Sequence, residues 1–344
     1  MLNIPPRKHL FIVNPVSFQS TKLQEKLLFQ IKHYLHLVNV SDFSIYVSQY
    51  PRDAICVIRK YMQTVNETEI VRVYAIGGDG ICFDCLNGIT GISNVEFALM
   101  PYGSGIDFVR AFGTENYNLF KSLNLQISAP VIPTDIIKCG SRYALNFCLI
   151  GAEAKANMTA VLMREKIKKA FFSFPKLSAP CYCIAGFLSL FDKDINAQYY
   201  NISADDEDLS GYYLAVNIAN GPYYAAGYSS NCAAVPDDGW LDLVLINRTN
   251  PVKIFPYLLK YMHGHLPELS KHLLFRRVKK VSIRSEKPLR VCCDAETFFD
   301  TKIDIEIMPQ AVKIVAVNKL SYKAPVSDIG ILLNNKKGVK CPVF

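Results

Sequence analysis

The sequence predicts a two-part chain, with an N-terminal doubly wound parallel α/β domain followed by a C-terminal antiparallel β-sandwich domain. Three observations predict this fold class. Strand-like and helix-like segments alternate along the first third of the 344 residues, and two glycine-rich turns follow strand-like segments there. From about Pro133 the pattern changes to closely spaced strand-like segments. Alternation of strands and helices is typical of a parallel sheet with helices on both faces.

The first domain is predicted to span residues 1–132 and to be completed by residues 310–344. Its elements follow from short apolar runs and from helical spacing, such as that of Leu23, Leu27 and Ile31. The predicted order is strand 9–13, helix 20–37, strand 43–47, helix 51–64, strand 71–76, helix 81–88, strand 96–100 and helix 106–113.

The second domain is predicted over residues 133–309. Short segments rich in β-branched and aromatic residues, separated by turn residues, are typical of antiparallel strands. We expect two helical insertions, at about 154–192 and 251–271. The expected strands are 136–138, 143–150, 198–202, 212–220, 241–246, 278–284, 289–293 and 301–307.

Composition and charge favour a cytoplasmic protein that meets phosphates or an anionic surface. The chain has 11 cysteines, which suggests a reducing compartment, and its net charge is +8. No signal peptide is visible, and the longest apolar segment, 178–191, is too short to span a bilayer. Residues 164–176 mix cations with phenylalanines, which fits peripheral membrane association or, equally, a solvated helix face. No nucleic-acid-binding module is visible.

The first glycine-rich turn has the form of a phosphate-binding loop. Gly77, Gly78, Asp79 and Gly80 come directly after the apolar run 71–76 and before a predicted helix. Glycines let backbone N–H groups approach a phosphate, and the N-terminus of a helix attracts the same anion. Asp79 adds a carboxylate that can hold Mg²⁺ or accept a proton. A tight turn without a ligand is the alternative.

The second glycine-rich turn follows the next strand along the chain. It contains Gly103, Ser104 and Gly105, with Asp107 at the start of the predicted helix. Loops at the carboxyl ends of neighbouring parallel strands converge on one crevice, so the two turns together indicate a nucleotide-phosphate site. A simple Ser/Asp helix cap is the alternative for this turn alone.

These residues resemble the diacylglycerol kinase catalytic-domain superfamily, above all the bacterial soluble lipid kinases, with sphingosine kinases as cousins. The resemblance covers about residues 8–320 and implies a two-domain fold like those of NAD kinases and diacylglycerol kinases. It rests on five motifs in order: Asn14-Pro15-Val16-Ser17, Gly77-Gly78-Asp79-Gly80 with the trailing Asn87-Gly88, the segment from Pro101 to Arg110, the segment from Pro236 to Asp242, and Asp294-Ala295-Glu296.

The resemblance implies an ATP- and Mg²⁺-dependent kinase that phosphorylates a lipid hydroxyl at a membrane surface, with diacylglycerol giving phosphatidic acid as the favoured reaction. It assigns the catalytic base to Asp294 in the bacterial branch and to Asp79 in the sphingosine kinase branch. We favour Asp294 as base and Asp79 as organiser of metal and phosphate. The implied nucleotide-binding residues are Asn14, Gly77, Gly78, Gly80, Gly103, Ser104, Gly105 and Glu296. The implied metal ligands are Asp79, Asp107 and Asp135 in a metal–water network, and Asp238 with the Trp240 carbonyl at a separate structural Mg²⁺ site.

The sequence also departs from the family pattern. Ile81 stands where most members have a phosphate-binding Thr, Ile106 replaces an Asn, and Ala295 replaces a Gly. Two lost hydrogen bonds would weaken ATP binding without removing any candidate acid. A degenerate relative that binds lipid or nucleotide without catalysis is therefore the first alternative, and an NAD kinase is the second. The oligomeric state is left open, with a homodimer as one option.

Overall fold

The computed structural model of the chain describes residues 7–18, 20–103, 105–170, 178–196, 198–225, 227–229, 233–263 and 271–323. These residues fall into two compact units. The first unit ends at Asp135 and is joined by Pro309–Lys323, and the second unit is Ile136–Met308. The first unit is thus assembled from two stretches of chain that are separated in sequence by the whole of the second. The rest of the predicted completion, residues 324–344, lies outside the described residues.

The first unit is built on a parallel sheet whose strands follow the predicted apolar runs. Neighbouring strands pair in parallel in the order β4-β3-β1-β2. The last strand of the chain, β14 (Glu296–Val315), adds to β4 in parallel through Ile314 and Phe97. The other strands are β1 (Lys8–Val13), β2 (Phe43–Val47), β3 (Val71–Gly77) and β4 (Val95–Pro101).

Helices connect these strands, as the alternation predicts. The helix predicted at 106–113 is instead a short 3₁₀ helix, Asp107–Phe112, bracketed by Gly105 and Gly113 with φ of 93° and 99°. The left-handed conformation of the glycine at each end confines this helix to the six residues between them. The α-helices are α1 (Thr21–Leu37), α2 (Asp53–Met62), α3 (Asp79–Ile89) and α4 (Leu123–Ser128). Further 3₁₀ helices are Pro15–Ser17, Thr114–Lys121 and Val317–Lys319.

The core of the first unit follows the two-residue period of its strands. Phe11 and Val13 of β1 pack with Tyr74 and Ile76 of β3 on one face of the sheet. Because successive side chains of a strand point to opposite faces, these alternate residues share one layer. The apolar stripe of α1 covers that layer through Leu27, Ile31 and Leu35. This packed layer therefore supports the edge of the sheet from which the glycine-rich turns extend.

The second unit is an antiparallel sheet, as predicted. Its strands pair in the order β12-β11-β10-β7-β13-β14, and β8 also pairs with β10 and β13. The two predicted strands 278–284 and 289–293 are one irregular strand, and β12 was not predicted. The strands are β5 (Val131–Cys139), β6 (Arg142–Ala144), β7 (Phe147–Gly151), β8 (Tyr199–Ala204), β9 (Glu207–Asp208), β10 (Gly211–Ala219), β11 (Leu241–Asn247), β12 (Leu273–Val278) and β13 (Lys280–Cys293).

The three longer helices described in the second unit fall in the two predicted insertions, and a short fourth helix follows the first insertion. They are α5 (Ala152–Ala170), α6 (Ser178–Ser189), α7 (Lys193–Asn196) and α8 (Pro251–Met262). Helices α5 and α6 pack together through small residues, with Ala160, Cys181 and Ala185 fully buried between them. Among the described residues, no helix combines the length and the apolar character needed to cross a bilayer.

Candidate functional site

The first glycine-rich turn joins β3 directly to α3. Gly77 is the last residue of β3, Gly78 is the N-cap of α3, and Asp79 is its first residue. No side chain caps this helix, so its first backbone N–H groups keep their hydrogen-bonding capacity. A Cβ atom at Gly80 would meet nothing within 4 Å, so the turn faces open space there. This is the arrangement that binds phosphate at a helix N-terminus.

The loop after β1 packs against both glycine-rich turns. A Cβ atom at Gly77 would lie 2.8 Å from the Ser17 hydroxyl and 3.1 Å from Cβ of Asn14. A Cβ atom at Gly103 would lie 2.8 Å from the carbonyl oxygen of Ser17. The side chain of Asn14 accepts a hydrogen bond from the Val16 N–H at 3.2 Å and so holds this loop in shape. The three loops are thus in contact, and their close packing requires glycine.

The second glycine-rich turn is held by Tyr117. A Cβ atom at Gly105, where φ is 93°, would overlap the Tyr117 hydroxyl. The same hydroxyl accepts a hydrogen bond from the N–H of Ile106 at 3.2 Å. Gly105 therefore permits a contact that no other residue allows. Ser104, predicted as a phosphate donor, lies outside the described residues.

The two predicted acids of these turns are linked directly. The backbone N–H of Asp107 donates to Oδ1 of Asp79 at 3.0 Å. The Asp107 carboxylate accepts from Nε of Arg110 at 3.2 Å and is 5% exposed as a residue. The hydrogen bond fixes the side chain of Asp79 at the start of α3, beside the backbone of the second turn. The structure thus brings together Asp79, Asp107 and the two glycine-rich turns.

Both isoleucines that depart from the family pattern are core residues. Ile81 is 2% exposed and Ile106 is fully buried. Each side chain therefore contributes to packing of the first unit, and neither presents an apolar surface to solvent at the turns. The departures remove polar groups from the two turns while leaving the positions of the backbone donors intact.

The donor set at these turns fits a magnesium–phosphate site. The sequences of the two turns, 77–80 and 103–107, contain two carboxylates and no Lys or Arg. Phosphates would be repelled by the carboxylates unless a divalent cation lay between them. Mg²⁺ is commonly held by one or two carboxylates together with substrate phosphates and waters. Among the described residues, no group of three His, Cys, Asp or Glu side chains is placed to bind a metal ion.

Asp135, the third predicted member of the metal–water network, lies in the middle of β5. It is 1% exposed, and its Oδ1 accepts a hydrogen bond from the backbone N–H of Gln310 at 2.7 Å. This bond ties β5 to the strand that returns from the end of the chain. Its place in a metal–water network stays a prediction.

Asp294 belongs to the second unit and has an unusual environment. Its carboxylate accepts three backbone N–H bonds, from Leu145 at 2.7 Å, Asn146 at 3.1 Å and Phe147 at 3.0 Å. Its own φ is 46°, in the left-handed region. Burial of the carboxyl group raises the pKa of Asp294 to about 6, although the three donors favour the charged form. Such a pKa suits a general base that works near neutral pH.

Glu296, predicted to bind nucleotide, is the first residue of β14. It pairs with Cys293 across the turn that contains Asp294 and is half-buried. The hairpin therefore fixes the spacing between the two acids of the motif. Its contact with nucleotide stays a prediction.

The structural Mg²⁺ predicted at Asp238 and the Trp240 carbonyl also stays a prediction. Oδ1 of Asp238 accepts a hydrogen bond from the N–H of Trp240 at 3.0 Å, which closes the turn. The guanidinium of Arg277 contacts the other oxygen of Asp238 and also donates to Asp242 at 3.2 Å. Arg277 thus already supplies a positive charge to this pair of carboxylates.

An apolar pocket in the second unit was not predicted residue by residue. Its empty space, including the part open to solvent, is ≈ 810 Å³. Leu190, Leu214 and Ile254 line it together with Tyr224, and the one carboxyl group in its wall is that of Glu153. In the sequence, the signal for this pocket was Glu153, a single acid in the apolar stretch that follows β7. It was not recognised because many such acids are solvent-exposed.

An exposed apolar surface lies on the α5–α6 hairpin. Its side chains are between 37% and 52% exposed, well above what a packed helix face shows. Arg164 and Lys166 of α5 adjoin this surface in sequence, and Lys166 is exposed. Residues 171–176 of the predicted interfacial segment lie outside the described residues. The apolar side chains are Val161, Leu162, Ile184, Phe187, Leu188 and Phe191.

Two family models match the chain. The diacylglycerol kinase catalytic domain matches residues 8–139. The YegS C-terminal NAD kinase beta sandwich-like domain matches residues 150–316. Together they cover the glycine-rich turns of the first unit and Asp294 in the second.

Similar proteins and structures carry corresponding descriptions. A protein of Staphylococcus aureus (strain MRSA252), named as a candidate lipid kinase, is 25% identical over 268 residues, which is 76% of this chain and 84% of the relative. A candidate diacylglycerol kinase and a diacylglycerol kinase from Bacillus anthracis (strain Sterne) have TM-scores of 0.69 and 0.67 at 21% and 22% identity. Both matches cover 91% of this chain, with 96% and 98% of the solved chains. The predicted fold class is confirmed.

Proposed function

Because the chain belongs to the diacylglycerol kinase catalytic-domain superfamily, we propose that it is an ATP- and Mg²⁺-dependent kinase that phosphorylates a lipid hydroxyl. Diacylglycerol is the favoured acceptor and phosphatidic acid the product. The observation that carries the proposal is the hydrogen bond from the backbone N–H of Asp107 to Asp79, because it fixes the Asp79 carboxylate beside the second glycine-rich turn at the N-terminus of α3. A site with these groups suits the phosphates of a nucleotide and the cation that accompanies them.

Backbone donors hold the nucleotide phosphates in this proposal. The uncapped N–H groups at the start of α3 and that of Gly103 are fixed by the packing of Ser17 against Gly77 and Gly103. The N–H of Gly105 already donates to the Tyr102 carbonyl at 3.1 Å, so in this proposal Gly105 shapes the turn and its N–H does not bind phosphate. Preorganised donors stabilise charge without rearranging during the reaction. Asp79 and Asp107 would hold Mg²⁺, which when bound neutralises charge on the transferred phosphoryl group.

Asp294 acts as the general base in this proposal. Its carboxylate accepts the proton of the lipid hydroxyl while that oxygen bonds to the γ-phosphorus of ATP. The bond from the γ-phosphorus to the oxygen that bridges it to the β-phosphorus breaks, and ADP leaves. The three N–H donors from 145–147 hold the carboxylate in position, and its raised pKa makes it a better proton acceptor than an exposed Asp.

The second unit supplies the lipid-binding surface in this proposal. Its pocket is lined by aliphatic and aromatic side chains, which favour an acyl chain over a polar nucleotide. The exposed apolar side chains of the α5–α6 hairpin, together with Lys166, would dock the enzyme on an anionic bilayer. Both features fit a substrate that resides in a membrane.

Phosphate transfer from labelled ATP tests the proposal. The protein is incubated with Mg²⁺ and mixed micelles that each contain one lipid, namely a diacylglycerol, a long-chain base or a monoacylglycerol, with NAD in a parallel reaction. We expect labelled phosphatidic acid from the wild type and its loss in both Asp79→Asn and Asp294→Asn. The exposed Asp300→Asn serves as the matched control and should retain activity.

Other outcomes have defined meanings. If ATP binds but no lipid becomes labelled, the kinase proposal is wrong and the protein is a degenerate relative that binds without catalysis. The reason to consider this alternative is the loss of polar groups at Ile81 and Ile106. Labelled NADP would overturn it in favour of an NAD kinase. If only the long-chain base becomes labelled, the protein is still a lipid kinase, but its acceptor is the long-chain base and not diacylglycerol.

A further inference from the structure

Glu153 is the carboxyl group in the wall of the apolar pocket of the second unit. It lies at the second position of α5, directly after β7 and Ala152. Aliphatic residues such as Leu214 and Ile254 form most of the pocket wall, and neither Lys nor Arg lines it in the described part of the chain. Burying an ionised carboxyl group in such surroundings costs free energy unless the group is hydrogen-bonded or paired with a positive charge.

The two oxygens of this carboxyl group are in different situations. Oε2 accepts a hydrogen bond from the side-chain amide of Asn217 at 2.9 Å, and the same amide donates to the hydroxyl of Tyr261 at 3.1 Å. The Tyr261 hydroxyl is also a hydrogen-bond partner of the Glu153 carboxyl group. Oε1 is buried and has no hydrogen-bond partner among the described residues. Buried polar atoms in native proteins nearly always have a partner, so an atom without one beside a pocket points to a ligand.

The hydrogen bond to Oε2 determines which oxygen of the Glu153 carboxyl group carries the proton in the acid form. Asn217 donates to Oε2, so Oε2 acts as an acceptor, and in the acid form the proton belongs on Oε1. Burial raises the pKa of Glu153 to about 7, so the acid form is substantially populated at neutral pH. The other titratable groups that line the pocket are His272, Tyr257, Tyr261, Tyr182 and Tyr224. Of these pocket-lining groups in the described part of the chain, His272 is the one whose side chain can carry a positive charge.

We propose that Glu153 binds the lipid by donating a hydrogen bond from its protonated carboxyl group to an uncharged oxygen, an ester carbonyl or a hydroxyl, of a neutral glycerolipid. The inference rests on the proposed lipid kinase function and names the class of its acceptor. The apolar wall takes an acyl chain, and Glu153 marks where the polar part of the molecule begins. Anionic lipids are disfavoured because they would place like charge beside a carboxyl group that can ionise.

Direct lipid binding in the absence of ATP tests this role separately from catalysis. Dioctanoylglycerol carrying a fluorescent acyl chain is titrated into the wild type, Glu153→Gln and Glu153→Leu in neutral detergent micelles at pH 6 and pH 8.5. Glu286→Gln, an exposed position outside the pocket, is the matched control. Thermal melting of each variant establishes that it is folded. A parallel titration uses sphinganine, whose ammonium group would require the ionised carboxylate.

We expect the wild type to bind dioctanoylglycerol more tightly at pH 6 than at pH 8.5. At pH 6, Glu153→Gln, which keeps an N–H donor, should bind within about threefold of the wild type, and Glu153→Leu should bind about tenfold more weakly, the size of effect expected for one hydrogen bond. At pH 8.5 the ionised wild-type carboxylate can no longer donate, so Glu153→Gln should bind more tightly than the wild type. Equal binding by Glu153→Leu and the wild type at pH 6 would overturn the proposal. Loss of binding in Glu153→Gln, or tighter binding of sphinganine that Glu153→Gln abolishes, would overturn it in favour of a charged partner.

The lipid kinase and this inference can fail separately. If the variants bind dioctanoylglycerol as expected but no phosphate is transferred, Glu153 is still a lipid-binding residue and the kinase proposal is wrong. If the wild type phosphorylates diacylglycerol and Glu153→Leu has the same KM for diacylglycerol, the kinase proposal holds and the proposed role of Glu153 is wrong.

Discussion

The backbone N–H of Asp107 lies 3.0 Å from Oδ1 of Asp79, so the second glycine-rich turn holds the acid of the first. The bond explains how two turns that are separated by a helix and a strand can present one set of donors. It also separates two properties of Asp79 that mutagenesis can distinguish, namely its capacity to accept this bond and its negative charge.

Asp79→Asn should keep the hydrogen bond through its amide oxygen and lose the charge. We expect phosphoryl transfer to fall about 100-fold or more, with little change in thermal stability, because general-acid/base and metal-binding carboxylates contribute effects of that order. Asp79→Ala should lose the same activity and also melt at a lower temperature. Initial rates and thermal unfolding of the two variants provide the comparison, and equal melting temperatures would argue against a structural role of this bond.

The pH dependence of kcat should report Asp294. A general base must be deprotonated, so the rate should rise about tenfold per pH unit below the pKa of about 6 and level off above it. A pH–rate profile at saturating lipid and ATP measures this limb. If the profile of the wild type has no limb between pH 5 and pH 7, the proton acceptor is another group, and Asp79 is the next candidate.

Removing the ionisable group of Glu153 should change how stability depends on pH. The folded-state pKa of about 7 lies above the unfolded value of 4.5, so the wild type is relatively stabilised below pH 4.5 and loses that contribution as the pH rises towards 7. Glu153→Gln should therefore become more stable than the wild type by about 1–3 kcal/mol at pH 8, since one pKa unit corresponds to about 1.4 kcal/mol. Urea unfolding at pH 4.5 and pH 8 measures the difference. A constant difference at the two pH values would contradict the raised pKa.

The contact between Gly105 and Tyr117 predicts a specific defect in nucleotide binding. Gly105→Ala places a methyl group onto the Tyr117 hydroxyl and should raise KM for ATP, because the second turn must move. Gly91→Ala is a matched control, because φ is 85° there and a Cβ atom would meet nothing within 4 Å. Both variants should lose stability from backbone strain. Only Gly105→Ala should alter KM for ATP, and steady-state kinetics with varied ATP will show whether that is so.

The α5–α6 hairpin should carry membrane binding. We expect the double variant Phe187→Ser with Leu188→Ser to reduce co-sedimentation with phosphatidylglycerol vesicles about tenfold, because each change removes an exposed apolar side chain from the proposed contact. Phe29→Ser on α1, where the side chain is 68% exposed, is the matched control. Equal loss in the two would indicate non-specific adsorption. No loss in the double variant would place membrane contact elsewhere.

Most of the first unit could be predicted from the sequence because its central strands β1, β3 and β4 are buried on both faces. Val71–Gly77 is buried at every position, and such continuous apolar runs between turn residues are easily recognised. The helix at 106–113 was predicted because the segment follows a glycine-rich turn and begins near an aspartate, and the structure has a 3₁₀ helix at Asp107–Phe112 instead. Only the left-handed conformations of Gly105 and Gly113 limit its length, and sequence spacing alone does not fix them.

The candidate site was predicted only as far as local motifs reach. The turn at 77–80 is contiguous in sequence, so its chemistry could be read directly. The partners of Asp294 lie at 145–147, almost 150 residues earlier, and no local pattern connects them. Glu153 was missed for the same reason, because only the tertiary fold places Asn217 beside one oxygen and leaves the other oxygen without a partner.

The return of the last strand to the first unit sets an order of events during synthesis. Ile314 completes the parallel sheet beside Phe97, and Tyr322 packs against Phe112. A ribosome releases both late residues only after the whole of 136–308 has emerged. Until then the nascent β4 keeps an unpaired edge of N–H and C=O groups, which invites association with other chains. The first unit, although most of it comes first in the sequence, is therefore the last to become complete. Chaperone dependence of this chain should be greatest while its second half is still being translated.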